Sequence, residues 1–256
     1  MFINNFDPVA FNILSFEIRW YSLAYIFGIL IGWYYCKKKI LIDEILSKKF
    51  DDYITYLIVG LIIGGRLGYV IFYNPDYYIK NPSEIIKVWN GGMSFHGAVI
   101  GIILFNYFFA KINKLNFFLF LDYVSLVAPI GLFFGRIANF INSELYGKPT
   151  SFFLGVIFPK VDMIPRHPSQ LYEAFLEGII LFVIMNSILF KDNYKTGTCS
   201  YIFLIFYGIF RIFSEFYREP DFQVGYLFDL ISMGTMLSIL MVIAGIIIFL
   251  KKDDIK

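Results

Sequence analysis

The chain has 256 residues, of which 58% are hydrophobic, 21% aromatic and 16% charged, and its mean hydropathy is +0.67. Soluble domains carry about 25% charged residues and no more than about half apolar ones, so this balance excludes a water-soluble enzyme, a disordered chain and a secreted disulfide scaffold. A net charge of +2 without a basic tract offers nucleic acid nothing to grip, and two cysteines, Cys36 and Cys199, are too few for a disulfide framework or a cysteine metal site.

Seven apolar runs follow one another: Arg19–Cys36, Tyr53–Tyr73, Met93–Ala110, Phe117–Ala138, Gln170–Phe190, Thr198–Tyr217 and Leu227–Leu250. Each approaches the ~20 residues that carry a helix across ~30 Å of hydrocarbon. The runs are continuous rather than alternating, which leaves helices and not a β-barrel as the way to satisfy the backbone in lipid. The expected fold is therefore all-α, a polytopic membrane bundle of about seven helices, forming one domain over residues 1–256. The first 18 residues hold no Lys or Arg, so the basic region of a cleavable signal peptide is missing and the first run is expected to stay in the mature chain.

Lysine and arginine orient the bundle. Lys37–Lys39, Lys48, Lys49, Lys111, Lys114, Lys191, Lys195, Lys251, Lys252 and Lys256 make 12 cations on one side, against six on the other, in Lys80, Lys87, Lys148, Lys160, Arg166 and Arg218. The richer side is expected to be cytoplasmic, which puts the N-terminus outside and the C-terminus inside. Two long outward loops result, near 74–92 and 139–168. The second contains Phe152–Phe158, a segment apolar enough to lie on the bilayer or cover the bundle. On the cytoplasmic side, Lys38–Asp52 reads as a short amphipathic helix of mixed charge, serving as a solvated connector.

Charges inside apolar spans are costly and mark function or pairing. Arg66, Arg136 and Arg211 fall in three spans that all run outward, eight, three and seven residues before Asn74, Asn139 and Arg218. At 1.5 Å per residue they lie roughly 5–12 Å below the outer helix ends. Singly, each is as well explained by snorkelling or by a structural ion pair, and Glu215 stands four residues from Arg211 to provide one. Together, beside small residues such as Gly64, Gly65, Gly68, Gly135 and Gly208, they suggest an anion site, since guanidinium grips phosphate through paired hydrogen bonds. His96 and His167 also lie on the outer side. Either is a potential proton carrier, and equally a hydrogen bonder at a helix end. No Walker A loop, GxSxG, CxxC or HExxH occurs, so nucleotide-driven pumping, a serine triad and a metal site go unsupported.

After the fourth run stands GRIANFINSELYG, Gly135–Gly147. It closely resembles the signature of bacterial prolipoprotein diacylglyceryl transferases, G-R-x-[GA]-N-F-x-N-x-E-x-x-G. The likeness extends through FDPVAF, RWYSLAY, GGRLGYVIFYN, WNGGMSFHGAVIG, RHPSQLYEAFLEG and YGIFRIFSEFYREPD, nearly the whole chain in order. It departs only by single methyl groups, at Ala138 where Gly is frequent and at Ala98 where HGG is usual.

The resemblance implies an enzyme of the bacterial cytoplasmic (inner) membrane, its active site toward the outer leaflet. Such an enzyme moves the diacylglyceryl group of phosphatidylglycerol to the lipobox cysteine of a preprolipoprotein signal peptide. A thioether forms and glycerol 1-phosphate leaves, with no cofactor and no metal. It points to Tyr21, His96, Arg136, Asn139, Glu144, Gly147, Tyr207, Arg211 and Glu215. Sulfur attack at the sn-3 carbon drives charge onto the leaving phosphate oxygen, which suits Arg136 and Arg211, with Arg66 beside them. A thiol of pKa ≈ 8.5 needs a base or a positive field, and His96 is the candidate base. Tyr21, Asn139, Glu144 and Tyr207 would orient the headgroup, and Glu215 would hold Arg211. The rival reading from the bare pattern is a transporter or channel whose intramembrane arginines pass an anion. Against it, Pro129 has no counterpart at a matching position and seven spans do not halve.

Overall fold

A computed structural model describes residues 1–14, 16–41, 44–72, 75–88, 91–189, 195–220, 226–227 and 231–251, with the side chains of all but 95, 96, 189, 226 and 227. Helices dominate: α1 Trp20–Tyr35, α2 Glu44–Phe72, α3 Pro75–Lys80, α4 Phe95–Asn113, α5 Phe117–Asn142, α6 Ser169–Glu173, α7 Leu181–Leu189, α8 Thr198–Glu215 and α9 Met233–Leu250. A π-helical turn, Cys36–Ile40, follows α1, and another, Ala174–Ile180, joins α6 to α7. Each predicted apolar run contains one of these helical stretches. Among the described residues five are long and apolar enough to cross a membrane: Glu44–Phe72, Phe117–Asn142, Ser169–Ile188, Thr198–Glu215 and Met233–Leu250. α1, with 16 residues, and the apolar part of α4, Gly97–Asn113, are shorter.

The chain divides into two compact units, Lys37–Leu121 and the pair of segments Met1–Cys36 and Asp122–Lys256. In the first, α2 and α4 pack through glycines spaced by four. A Cβ on Gly68 would come within 2.7 Å of the Gly97 Cα, and one on Gly60 within 2.8 Å of the Phe105 Cβ. Backbones this close gain dispersion contacts that lipid cannot replace. Toward the other end of α2, Phe50 and Tyr53 are fully buried with Phe109 and Phe120, and the Tyr53 hydroxyl donates to Asn106 Oδ1 at 2.8 Å. The short amphipathic helix expected over Lys38–Asp52 does not stand alone as a connector. From Glu44 onward it is the start of α2, because no Gly or Pro interrupts the chain before Gly60 and the helix propagates.

In the second unit, a Cβ on Gly28 of α1 would lie 2.9 Å from the Gly131 Cα of α5. Likewise, one on Gly208 of α8 would lie 2.6 Å from Val242 Cγ2 of α9. α8 is capped from a distance. The buried Asp122 carboxylate of α5 accepts from the Gly197 and Ser200 amides at 2.6 and 2.8 Å and from Ser200 Oγ at 2.6 Å. Those amides have no partner inside the helix, so a carboxylate at this end is favourable twice over, by hydrogen bond and by dipole.

Short strands, absent from the sequence reading, cover the Asn142 end of α5. β1 (Phe2–Ile3) pairs in parallel with β4 (Val156–Ile157), which pairs antiparallel with β5 (Pro165–Arg166); β2 (Val9–Ile13) and β3 (Phe16–Arg19) form a hairpin. The 152–158 segment divides its duties accordingly. Val156 and Phe158 are buried against Phe140 with Tyr146 alongside, whereas Phe152, Phe153 and Leu154 stay exposed.

Candidate active site

α5 and α8 each carry an arginine in an apolar helix, and the helical stretch between them in sequence supplies the opposite charge. Arg136 lies on α5 and Arg211 on α8; Glu173 ends α6 and Glu177 sits in the π-helical turn after it. Glu173 reaches both arginines, with Oε2 2.9 Å from Arg136 Nε and Oε1 2.6 Å from Arg211 Nη1. Glu177 also spans both, at longer range: Oε2 is 3.1 Å from Arg136 Nη2 and Oε1 3.8 Å from Arg211 Nη1. The two carboxylates are fully buried, and the arginine side chains are 14% and 8% exposed.

The network continues along α8. Arg211 Nη2 pairs with Glu215 Oε1, Arg218 Nη1 approaches the same oxygen at 3.1 Å, and Ser232 Oγ donates to Glu215 Oε2 at 2.7 Å. Three guanidiniums thus meet three carboxylates, Glu173, Glu177 and Glu215, and the formal charges cancel. Only such pairing makes ions tolerable here, since an isolated buried ion costs several kcal/mol. Tyr207, one turn before Arg211, stands within electrostatic reach of both arginines and of Glu173 and Glu177. Its ring stacks on Phe203 with centroids 5.6 Å apart.

The signature segment folds into a clasp just beyond. Ser143 and Leu145 adopt left-handed backbone, φ 61° and 55°, and turn Glu144 back toward α5. Its carboxylate accepts from Asn139 Nδ2 and Asn142 Nδ2, each at 3.3 Å. Gln170 and Ser169 of α6 tie the turn down by donating to the Glu144 and Leu145 carbonyls at 2.6 and 2.9 Å. Gly147 has no room for a side chain: a Cβ would lie 2.7 Å from both the His167 Cβ and the Tyr217 carbonyl oxygen.

Arg66 and Tyr21 have partners of their own, and the His96 side chain is outside the described atoms. Arg66 is buried and all three of its nitrogens donate to main chain. Nε reaches the Ile85 carbonyl at 2.8 Å, Nη2 those of Glu84 and Lys87 at 2.6 and 3.2 Å, and Nη1 those of Gly91 and Gly92. Gly91 and Gly92 have φ of 80° and 78°, a conformation that turns both carbonyls onto one guanidinium and that L side chains resist. Arg66 therefore ties Glu84–Lys87 and Gly91–Gly92 to α2. The backbone of His96 lies in the first turn of α4, but its side chain is outside the described atoms. Tyr21 is 36% exposed, its hydroxyl 3.4 Å from that of Tyr25.

Phe152, His167, Tyr172, Phe213 and Tyr217 line an aromatic groove of about 410 Å³. There His167 Nδ1 lies 3.1 Å from the Tyr172 hydroxyl, and burial holds the imidazole below its ordinary pKa. The fold thus prefers neutral His167. Its contribution is complete above the ordinary value near 6.5 and is lost as pH falls through the lowered one. Nearby, the Arg166 guanidinium holds the Asp162 carboxyl low, an effect that fades only at still lower pH. Between pH 8 and pH 5 the wild type is expected to lose more thermal midpoint than His167→Gln, which keeps a hydrogen bond to Tyr172 and does not titrate. Parallel curves would show that His167 carries none of this dependence.

The sequence reading gave Glu173, Glu177, Arg218 and Ser232 no part in the site. Their signal was available, because E-x-x-x-E inside an apolar run is as expensive as an arginine there and demands a partner. Matching the intramembrane cations with Glu215 alone left an apparent excess of positive charge. Among the described residues no group of three or more His, Cys, Asp or Glu is placed to hold a metal ion.

Residues 8–251 match the family described as prolipoprotein diacylglyceryl transferase. A protein of Rickettsia typhi is 53% identical over 249 residues, covering 96% of each chain, and one of Rickettsia bellii (strain OSU 85-389) is 50% identical over 253 residues, 97% of this chain and 96% of the relative. Both relatives carry the name phosphatidylglycerol–prolipoprotein diacylglyceryl transferase.

Proposed function

Because the chain belongs to the prolipoprotein diacylglyceryl transferase family, we propose that it transfers the diacylglyceryl group of phosphatidylglycerol to the lipobox cysteine thiol of a preprolipoprotein. The products are a thioether and glycerol 1-phosphate. The observation that carries the assignment of residues is the meeting of Arg136 and Arg211 on shared carboxylates. Two guanidiniums from different helices, held in a nearly dry site, are placed to receive one anion.

The thiol proton leaves, sulfur attacks the sn-3 carbon, and the C–O bond electrons pass to the phosphate. Charge then concentrates on the leaving oxygen, where fixed guanidinium donors in a low-dielectric site do most. Arg136 and Arg211 fill that role. Glu215, braced by Ser232 and Arg218, positions Arg211. Tyr207 borders the same cluster, and Asn139, Glu144 and Gly147 shape the clasp at the end of α5. Tyr21 contacts the headgroup from α1. Arg66 contributes through the segments that it ties down, and His96 takes the thiol proton.

Residues 1–256 act as one transferase domain of the inner membrane, with all seven helical stretches as spans. The 12-to-six bias in Lys and Arg puts the N-terminus outside, the C-terminus in the cytoplasm and the chemistry toward the outer leaflet. Purified protein in detergent, given phosphatidylglycerol labelled in the glycerol backbone of its diacylglyceryl group and a lipobox peptide, is expected to yield a peptide that keeps the label after base removes the acyl esters, as a thioether does. His96→Gln is expected to lower kcat at least about 100-fold at unchanged thermal midpoint. A folded wild type without product across several peptides would refute the transferase assignment. Full activity in His96→Gln would remove the base.

A further inference from the structure

The protein supplies its own anions to this site. Glu173 and Glu177 each bridge Arg136 and Arg211, and both are fully buried. With one arginine opposite each of these glutamates the four ions sum to zero, so an incoming phosphodiester finds no net positive charge to meet it. The guanidinium edges facing this point are also in use: Arg136 Nε and Nη2 face Glu173 and Glu177, and Arg211 Nη1 faces both. For a phosphodiester to reach the two arginines, one carboxylate has to give up its place.

The distances separate the two. Glu173 sits 2.9 and 2.6 Å from the arginines, Glu177 3.1 and 3.8 Å. Coulomb attraction falls with separation, and the longer pair is the weaker hold. Glu177 also lies on the π-helical turn Ala174–Ile180, an irregular hydrogen-bond pattern of the kind that concentrates at functional sites. The turn presses on α5 at Gly178, where a Cβ would meet the Phe133 Cβ at 2.7 Å. Glu177 Oε2 accepts from Arg136 Nε and Nη2 at 3.3 and 3.1 Å, while its buried Oε1 and both Glu173 oxygens accept no aligned hydrogen bond among the described residues. The Glu177 contact to Arg211 is therefore a charge contact at 3.8 Å, the longest of the four and the easiest to open.

Resting on the transferase reading above, we propose that Glu177 is an internal counter-anion, which spans Arg136 and Arg211 until it is displaced by the phosphodiester of phosphatidylglycerol. Its two oxygens lie on different arginines, as two non-ester oxygens of a phosphodiester would. Glu173 stays behind as a positioning residue that keeps the guanidiniums facing one point. The exchange has a use at the end of the cycle. Glycerol 1-phosphate carries more negative charge than the lipid it came from, and a resident carboxylate ready to return speeds its release.

The test separates anion affinity from turnover. Glu177→Gln removes the competing charge and leaves the site at +1. It is expected to bind glycerol 1-phosphate and inorganic phosphate at least about tenfold more tightly than wild type, read as ligand-induced thermal shift and by calorimetry. KM for phosphatidylglycerol should fall, and kcat should fall with it as product release slows. Glu177→Asp keeps the charge but shortens its reach, and about threefold tighter phosphate binding is expected. In Glu173→Gln kcat should drop without any fall in KM, because the arginines lose their alignment while Glu177 still competes.

Phosphate affinity equal to or weaker than wild type in both Glu177 variants would overturn the exchange, and Glu177→Asp decides alone if the Gln variant does not fold. Transfer by the wild type with unchanged anion affinity in the variants defeats only this inference. Tighter phosphate binding in an enzyme that transfers nothing supports the exchange and defeats only the transferase reading.

Discussion

Arg211→Ala is expected to lower the rate of diacylglyceryl transfer by about 1,000-fold or more, and Arg136→Ala by a similar factor. Removing a single fixed donor from a developing oxyanion costs about 100- to 1,000-fold in known cases. Here each arginine is also the counter-ion of buried carboxylates. Arg211 faces Glu173, Glu177 and Glu215, so its loss leaves three acids sharing Arg136 and Arg218. Breaking one partner out of a buried ion set destabilises by about 3–5 kcal/mol. Both variants should therefore show a lower thermal midpoint together with the loss of activity, and the two readouts belong in one experiment.

Arg211→Lys discriminates between causes. It restores the charge but not the fork that touches Glu173 and Glu215 through separate nitrogens, so stability should recover more than rate. Activity within tenfold of wild type in Arg211→Ala would remove this residue from the chemistry. The transport reading gains nothing from the relatives, whose names describe transfer.

The second large effect is on the fold. Gly64→Val is expected to part α2 from α4 and destabilise the first unit by about 3 kcal/mol or more. A Cβ on Gly64 would overlap the Gly97 carbonyl oxygen and lie 2.7 Å from the Gly101 Cα. These are backbone atoms, which cannot rotate out of the way as a side-chain tip would. Ile63, next along α2 and 43% exposed, is the control: Ile63→Ala should leave the thermal midpoint nearly unchanged. Equal behaviour of the two variants would mean that the glycine seam does not hold these helices. Such a result would also bear on Glu84–Lys87 and Gly91–Gly92, because Arg66 ties them to α2 from a position two residues beyond Gly64.

Much of the architecture was legible in the residues because long apolar runs leave the backbone one means of satisfying its hydrogen bonds. The seven runs each contain a helical stretch, and the glycines flanking Arg66 and Gly208 mark close helix contacts. Short strands such as Phe2–Ile3 and Val156–Ile157 were not legible. A two-residue strand has no periodicity, and only its partner 154 residues away makes it one. The extension of α2 back to Glu44 was misjudged for a different reason: amphipathic composition suggested a separate connector, while an uninterrupted chain simply continued the helix.

By itself the sequence determined that this is a helical membrane protein of a known transferase family, and it singled out Arg136, Arg211 and Glu215 as candidates. These follow from composition, from the cost of charge in lipid and from an ordered set of motifs. Which arginine meets which acid was decided only in three dimensions. Arg66 and Arg211 look alike in sequence, each a lone cation in an apolar span, yet one donates to five main-chain carbonyls and the other faces three carboxylates. Pairing in a low dielectric acts over a few ångströms between helices far apart in the chain. The charge balance of the arginine–glutamate cluster therefore belongs to the packing of α5, the 173–177 turn and α8, and to no one segment alone.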